Sequence, residues 1–466
     1  MNYRIEKDSM GRWKIPSDKY YGIHTQRSYK TFQISGIEWH PALIIAITRL
    51  KLACAEANNN LGMLSIQKKK AIVRASRELI EGKFYDQFPL DIFQTGSGTA
   101  TNMNVNEVIA HRASELLTSR KLNRLTQRNN IHPNDDVNKG QSTNDVIPSA
   151  IRIACINLID ELLESLVILE NAFSKKGKDF SKILKSARTH LQDAVPITLG
   201  QEFTAYNTAI VKHKLRIKEL VKNLSILGIG GNAVGTGLNT KKEFRREIIR
   251  CLNKRSKHTF YVTQDGIESI QFLTDIAVLS GILKALSLDL YKIANDLRLL
   301  NSGPRTGLHE INIPPIEPGS SIMPGKINPA VCEAVGQVSC QIVGNDAAIA
   351  MACASGNLNL NTYMPIIGHN IVNSLQLLTN VTKLFAEKCV SGITANKDQC
   401  QYYAEHSAGL ATALNPVLGY DIVAKLVKES LRTGKSVKEL ALEKRLMTEQ
   451  ELNRVLDPNN LTRPNL

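Results

Sequence analysis

Aromatic residues are scarce in this sequence: 11 Phe, 12 Tyr and 2 Trp amount to 5% of its 466 positions. With Leu, Ile and Ala predominating instead, helix–helix packing is favoured over β-sandwiches. The eight cysteines include no C-x-x-C pair and no paired histidine spacing. Zinc modules and a disulfide framework are therefore excluded, and the thiols read as reduced, mostly buried groups of a cytoplasmic protein. No apolar run reaches about 18 residues, so no membrane span is expected. The opening MNYRIEKDSM is charged and lacks the apolar core of a secretory signal.

Acidic charge is also in deficit, and the chain carries a formal net charge of +15. Much of the excess lies in stretches such as KKEFRREIIRCLNKRSK (241–257), where acidic residues are interleaved and Phe244 is the single aromatic. A nucleic-acid face concentrates charge on one side, often with aromatics between. This stretch reads as a solvated lysine-rich helix, and no nucleic-acid partner is expected. A basic surface also raises the local concentration of small dianions.

The chain is long enough for two or three domains or one large core with appendages. Residues 1–138 mix short helical runs with turn-rich segments. Across 139–395, apolar residues recur at spacings of three and four, notably over 150–180, 199–227, 261–302 and 330–390. Val331, Val335, Val338 and Ile342 form one such stripe, with Ala334 and Gly336 permitting close approach. Helices of this length imply a bundle, and apolar residues on several faces imply packing against partner subunits. From 396 to 466 the pattern is of short helices, including a capped one in TGKSVKELALEKRL and another in MTEQELNRVL. The fold class expected is mainly α.

Four polar, glycine-punctuated islands interrupt this layout: QTGSGTATNMN (94–104), HPNDDVNKGQSTND (132–145), ARTHLQDAVP (187–196) and PGSSIMPGKINP (318–329). Each is rich in side chains that bind carboxylates through hydrogen bonds and charge. Taken singly, each has an ordinary reading. TGSGT and STND suit capped helix starts, and a lone His190 suits a satisfied core histidine. The last island is no nucleotide loop, since five residues separate Gly319 from Gly325 and Ile327 follows Lys326. GIGGNA (228–233) follows a helical segment rather than a strand, so it reads as a close-packed turn.

Taken together, the islands resemble the fumarase/aspartase superfamily, and closely its class II fumarate hydratases. GSSIMPGKINP is similar to the superfamily's signature loop, and the resemblance runs through nearly the whole chain. It implies a homotetramer around a core of about twenty long helices, with active sites assembled from three subunits. The reaction implied is reversible anti addition of water to fumarate giving L-malate, a citric acid cycle step, with no cofactor and no metal. By resemblance, Ser320 is the base, acting as an alkoxide on a mobile lid and sustained by Lys326 and loop N–H groups. His190 acts through a water and Glu333 orients it. Ser97, Thr99, Ser142, Thr143, Asn144, Thr189, Ser321 and Asn328, with Lys326, hold the substrate carboxylates. His132, Asn134 and Asp135 match a second dicarboxylate site. There the chain departs from the family, with Asn129 where an arginine is common and Arg128 adjacent.

Two activities compete. TGSGT, HPNDDVN and ASGN (354–357) look like fumarase, whereas YYGIHT (20–25), DAVPITLGQEF (193–203) and GITAN (392–396) occur in aspartate ammonia-lyases. Aspartases tend to carry GGAGT where this chain has TGSGT, and that island lies at the expected site. Fumarate hydratase is therefore the expected activity, with aspartate ammonia-lyase the alternative. A structural role, as in lens proteins of this superfamily, predicts decay of the signature residues, and none has decayed.

Overall fold

The computed structural model describes residues 2–118 and 131–464, so Arg128 and Asn129 lie outside the described residues. The chain is mainly helical. It opens with a hairpin, β1 (Tyr3–Asp8) and β2 (Gly11–Pro16), then α1 (Ile23–Thr31), α2 (Pro41–Asn60), α3 (Ile66–Ile80) and α4 (Thr99–Thr118). Helix α5 (Thr143–Asp179) precedes a second hairpin, β3 (Leu184–Thr189) and β4 (Gln192–Thr198), and then α6 (Leu199–Leu224). Next come α7 (Phe244–Asn253), α8 (Glu268–Gln271), α9 (Thr274–Leu300), α10 (Ala330–Ala354) and α11 (Met364–Lys388). Short helices make up the rest. Among the described residues no helix is long and apolar enough to cross a membrane.

Two apolar stretches are divided more finely than their spacing predicts. Over 261–302 a continuous helix starts only at Thr274. The 330–390 stretch is two helices, because Asn361 intervenes with a fully buried amide. Its Nδ2 donates to the carbonyls of Ala352 (3.1 Å) and Cys353 (3.3 Å), which have no partner within α10. Its Oδ1 accepts from the Tyr363 N–H at 2.8 Å, just ahead of α11.

The described residues fall into two compact units, each drawn from separated stretches. The first comprises Met1–Leu162, Leu215–Ala285 and Cys340–Leu378. Its core is built on α2, where Leu43, Ile44, Ile47 and Leu50 are buried, packed against α3 and α7. Each such side chain contributes about 1.5–3 kcal/mol on full burial. The lysine-rich stretch is indeed helical at α7. Phe244, Ile248, Ile249 and Leu252 form its buried face, while Lys241, Lys242, Arg246 and Arg250 are exposed.

The start of α5 is fixed by a buried acid. Asp145 Oδ1 accepts from the Ser142 N–H at 2.9 Å, and Oδ2 accepts from Gly230 (2.9 Å) and Asn232 (2.7 Å). GIGGNA is thus a close-packed turn, wrapped on a carboxylate. Gly235, just beyond it, has φ +90, and a methyl there would lie 2.2 Å from the Gly266 carbonyl carbon. Only glycine permits that approach.

The second unit comprises Leu163–Lys214, Leu286–Ser339 and Thr379–Leu466. An aromatic cluster sits in its core: Phe173 lies 6.2 Å, centroid to centroid, from both Phe203 and Phe385, and 5.9 Å from Tyr206. A smaller cluster, Leu414, Val423, Val437, Ala441 and Leu452, holds the C-terminal helices together. Capping boxes start two of them: Ser436 with Glu439, and Thr448 with Glu451.

Gly235→Ala and Gly434→Ala separate conformational strain from collision. Gly434 has φ +75 with open space around its Cα, so alanine there should cost about 1–2 kcal/mol. Gly235→Ala should lower the denaturation midpoint by clearly more, because two backbones must part. Equal midpoint shifts in urea titrations would contradict the packing described.

Candidate active site

In the first unit the TGSGT island leads into α4. Gln94 Oε1 caps the helix, accepting from the Thr101 N–H and Oγ1, each at 3.0 Å. Ser97 and Thr99 are therefore not consumed in capping, and their hydroxyls lie 2.8 Å apart. Gly98 has φ +81, and a methyl on Gly96 would collide with the Thr362 carbonyl at 1.8 Å, so the backbone fixes this hydroxyl pair.

The STND island begins the 37-residue helix α5, whose N-terminus carries partial positive charge. Ser142 Oγ accepts from the Asn144 N–H at 3.3 Å. Asn144 Nδ2 donates to the Ala233 carbonyl at 2.7 Å, which fixes its amide orientation and leaves its Oδ1 as an acceptor. Thr143 Oγ1 accepts from Asn102 Nδ2 at 3.0 Å. Behind them lies Lys51, 0% exposed, whose Nζ donates to Asn138 Oδ1 at 2.7 Å. Burial drives the Lys51 pKa down to about 7. Burial likewise pushes Asp145 up to about 7, against its three N–H donors and the nearby Lys51. Hydroxyls, the helix-end charge and a buried ammonium suit a carboxylate.

His132 stands at the start of a π-helical turn, Pro133–Val137, and is about half exposed. Its Nδ1 accepts from the N–H groups of Asn134 (3.3 Å) and Asp135 (3.1 Å), so His132, Asn134 and Asp135 form one local cap. The buried neighbour Asp136 accepts from the His132 N–H at 2.8 Å and from Lys68 Nζ at 2.6 Å.

In the second unit, Thr189 and His190 sit at the tip of the β3–β4 hairpin. Thr189 pairs with Gln192, and the turn residues His190 (φ 55) and Leu191 (φ 59) are both left-handed. That turn type ordinarily takes Asn-Gly, and each non-glycine residue held there costs about 1–2 kcal/mol. Glu310, fully buried, anchors the hairpin by pairing with Arg188 at 2.9 Å and Lys185 at 3.2 Å. His190 is exposed, which rules out the satisfied core histidine.

The signature loop is closed at its neck. Gly319 N–H donates to the Lys326 carbonyl at 2.8 Å, and Asn328 Nδ2 donates to the Gly319 carbonyl at 2.7 Å. Ser320 Oγ accepts from the N–H groups of Ile322 (3.2 Å) and Met323 (3.0 Å). Ser321 and Lys326 are exposed. Glu333, in the first turn of α10, lies 3.8 Å from Arg298. Among the described residues no hydrogen bond or ion pair joins the side chains of Ser320, His190, Glu333 and Lys326 to one another. Nor is any group of three or more His, Cys, Asp and Glu placed to hold a metal ion.

Sequence reasoning passed over the supports. Asn102 and Asn138 lie inside the quoted islands, and Lys51, like Arg49, is a cation within the apolar run of α2. Glu310 carries no local signal, since its partners are more than a hundred residues away.

Known proteins share this architecture. Residues 11–344 match the family described as Lyase, and residues 410–463 match the one described as Fumarase C C-terminus. The chain is 44% identical over 466 residues to an aspartate ammonia-lyase of Pseudomonas aeruginosa, covering 99% of this chain and 98% of that one. It is also 44% identical over 465 residues to a class II fumarate hydratase of Helicobacter pylori, covering all of both. The crystal structure of a class II fumarase from Schistosoma mansoni, 36% identical, superposes over the full length of both chains with a TM-score of 0.94. By sequence and by fold, the chain belongs to the fumarase/aspartase superfamily of lyases.

Proposed function

We propose that the protein is a class II fumarate hydratase, interconverting fumarate and L-malate. The observation that carries this reading over the ammonia-lyase is the Ser97–Thr99 hydroxyl pair, held 2.8 Å apart beside the start of α4. Two hydroxyls that each donate and accept suit a water molecule, and an alanine at position 97 would halve that cradle.

In the malate direction the reaction removes a proton from carbon next to a carboxylate, leaving a carbanion with extra negative charge. Ser320 is the base. The two N–H groups aimed at its Oγ stabilise the alkoxide, as preorganised donors do for any developing oxyanion. Lys326 supplies further positive charge once the loop closes and water is excluded. The α5 N-terminus, with Ser142, Thr143 and Asn144, holds one carboxylate of the substrate. Ser97, Thr99, Thr189, Ser321, Lys326 and Asn328 complete the cradle, and His190, polarised by Glu333, handles the hydroxyl through a water. As the superfamily resemblance implies, we place these groups in sites shared between copies of a homotetramer. His132, Asn134 and Asp135 we assign to a second dicarboxylate site, since an accepting Nδ1 leaves Nε2–H to donate outward.

Aspartate ammonia-lyase is the second reading. It is favoured by relatives of equal identity and by the Oδ1 of Asn144, an acceptor that suits an ammonium as well as a hydroxyl.

Purified protein given fumarate in ammonium-containing buffer, with products separated by chromatography, should form malate with little aspartate. Aspartate as the dominant product contradicts the hydratase reading and leaves the carboxylate site standing.

Ser320→Ala and His190→Asn should each lower turnover by about a hundredfold or more without loss of folding. Unfolded together and refolded, the two variants should regain part of the activity. Mixed oligomers that stay inactive would refute shared sites.

A further inference from the structure

The core of the first unit keeps a charge that packing does not need. Lys51 lies in α2 among Leu50, Leu52 and Ala53, fully buried, where an apolar side chain of similar length would fill the space. An ammonium has three donors, and among the described residues one hydrogen bond holds it, to Asn138 Oδ1. Buried charges held so sparsely are costly.

Following the hydrogen bonds from Lys51 gives a chain with one polarity. As an ammonium Lys51 can only donate, and Asn138 turns its Oδ1 to it. Its Nδ2 donates to the Gln141 carbonyl at 3.1 Å, consistent with that orientation. Asn102 Nδ2 lies 3.4 Å from the same Asn138 oxygen and 3.0 Å from Thr143 Oγ1, and donates to both. The other end of the Asn102 amide fixes nothing, because its Oδ1 is buried without a hydrogen-bond partner among the described residues. The orientation of Asn102 is therefore set from the Asn138 side. Thr143 Oγ1 is thereby occupied as an acceptor, and its own proton has no acceptor among the described residues.

We propose that Lys51, Asn138 and Asn102 are positioning residues that fix the direction of this chain, so that Thr143 always presents its hydroxyl proton to the substrate carboxylate. Without the chain, Asn102 is free to flip and offer Oδ1. Thr143 then turns its proton inward and presents lone pairs to an anion. The inference rests on the assignment of Thr143 to the carboxylate site, and it adds the reason why that hydroxyl is a donor.

The test uses succinate, a four-carbon dianion that cannot react, with affinity measured by titration calorimetry on the full-length protein. Thr143→Val should weaken binding by about tenfold, the loss of one hydrogen bond to a charged group. Thr143→Ser should restore it. Lys51→Met and Asn102→Leu should each weaken it by about threefold to tenfold. Combined with Thr143→Val, neither should weaken it further, because each acts through that hydroxyl. Thermal unfolding identifies any variant that has lost its fold, and the other variant then carries the cycle. Multiplying effects in the double variants, or unchanged affinity in Lys51→Met, overturns the relay. Failure of wild-type protein to bind succinate overturns both the relay and the carboxylate site. Tight succinate binding without turnover of fumarate overturns the hydratase reading alone.

Discussion

A buried carboxylate organises the start of α5 in the first unit. Asp145 accepts N–H donors from Ser142, at the mouth of α5, and from Gly230 and Asn232, about 85 residues further along the chain. An ionised group with no such donors would be intolerable at this depth. With them it becomes a rivet, tying the glycine turn to the helix start. Ala233, carried by that turn, then holds the amide of Asn144. The three side chains proposed to hold an anion are thus aligned by a buried residue whose oxygens are taken up by backbone N–H groups. Their helix contributes its own field, since 37 aligned residues end at this point.

The second unit solves a different problem. Its exposed tip residues, Thr189 and His190, sit on a turn whose backbone neither His190 nor Leu191 favours. The buried Glu310, paired with Lys185 and Arg188, supplies a counterweight at the base of the hairpin. Strain at a tip with such support marks a position chosen for something other than stability. The signature loop shows the same logic in milder form, a closed neck with Ser320 Oγ already facing two donors.

Legibility from sequence followed the range of the interactions. Helix content was readable because spacings of three and four are local. The polar islands were readable as a set, and the C-terminal capping boxes announced themselves as S-x-x-E and T-x-x-E. GIGGNA could be recognised as a turn, but not as the wrapping of Asp145, whose side chain reaches across 85 positions. The β3–β4 hairpin was hidden because His-Leu is not a turn signal. Glu310 and Lys51 were hidden for a common reason: burial of a charge is decided by distant partners. The division between α10 and α11 depended on one asparagine turning back to cap a helix. Choice of leaving group was the least legible feature, since carboxylate binding is common to both activities and the difference lies in a few hydroxyls.

The central claim is that the N-terminus of α5, riveted by Asp145, is where a dicarboxylate is held. A crystal structure of the protein with succinate tests it most directly. The account predicts one succinate carboxylate within hydrogen-bonding distance of Thr143 Oγ1, at the start of α5. Succinate bound elsewhere, with its carboxylates away from Ser142, Thr143 and Asn144, would contradict it.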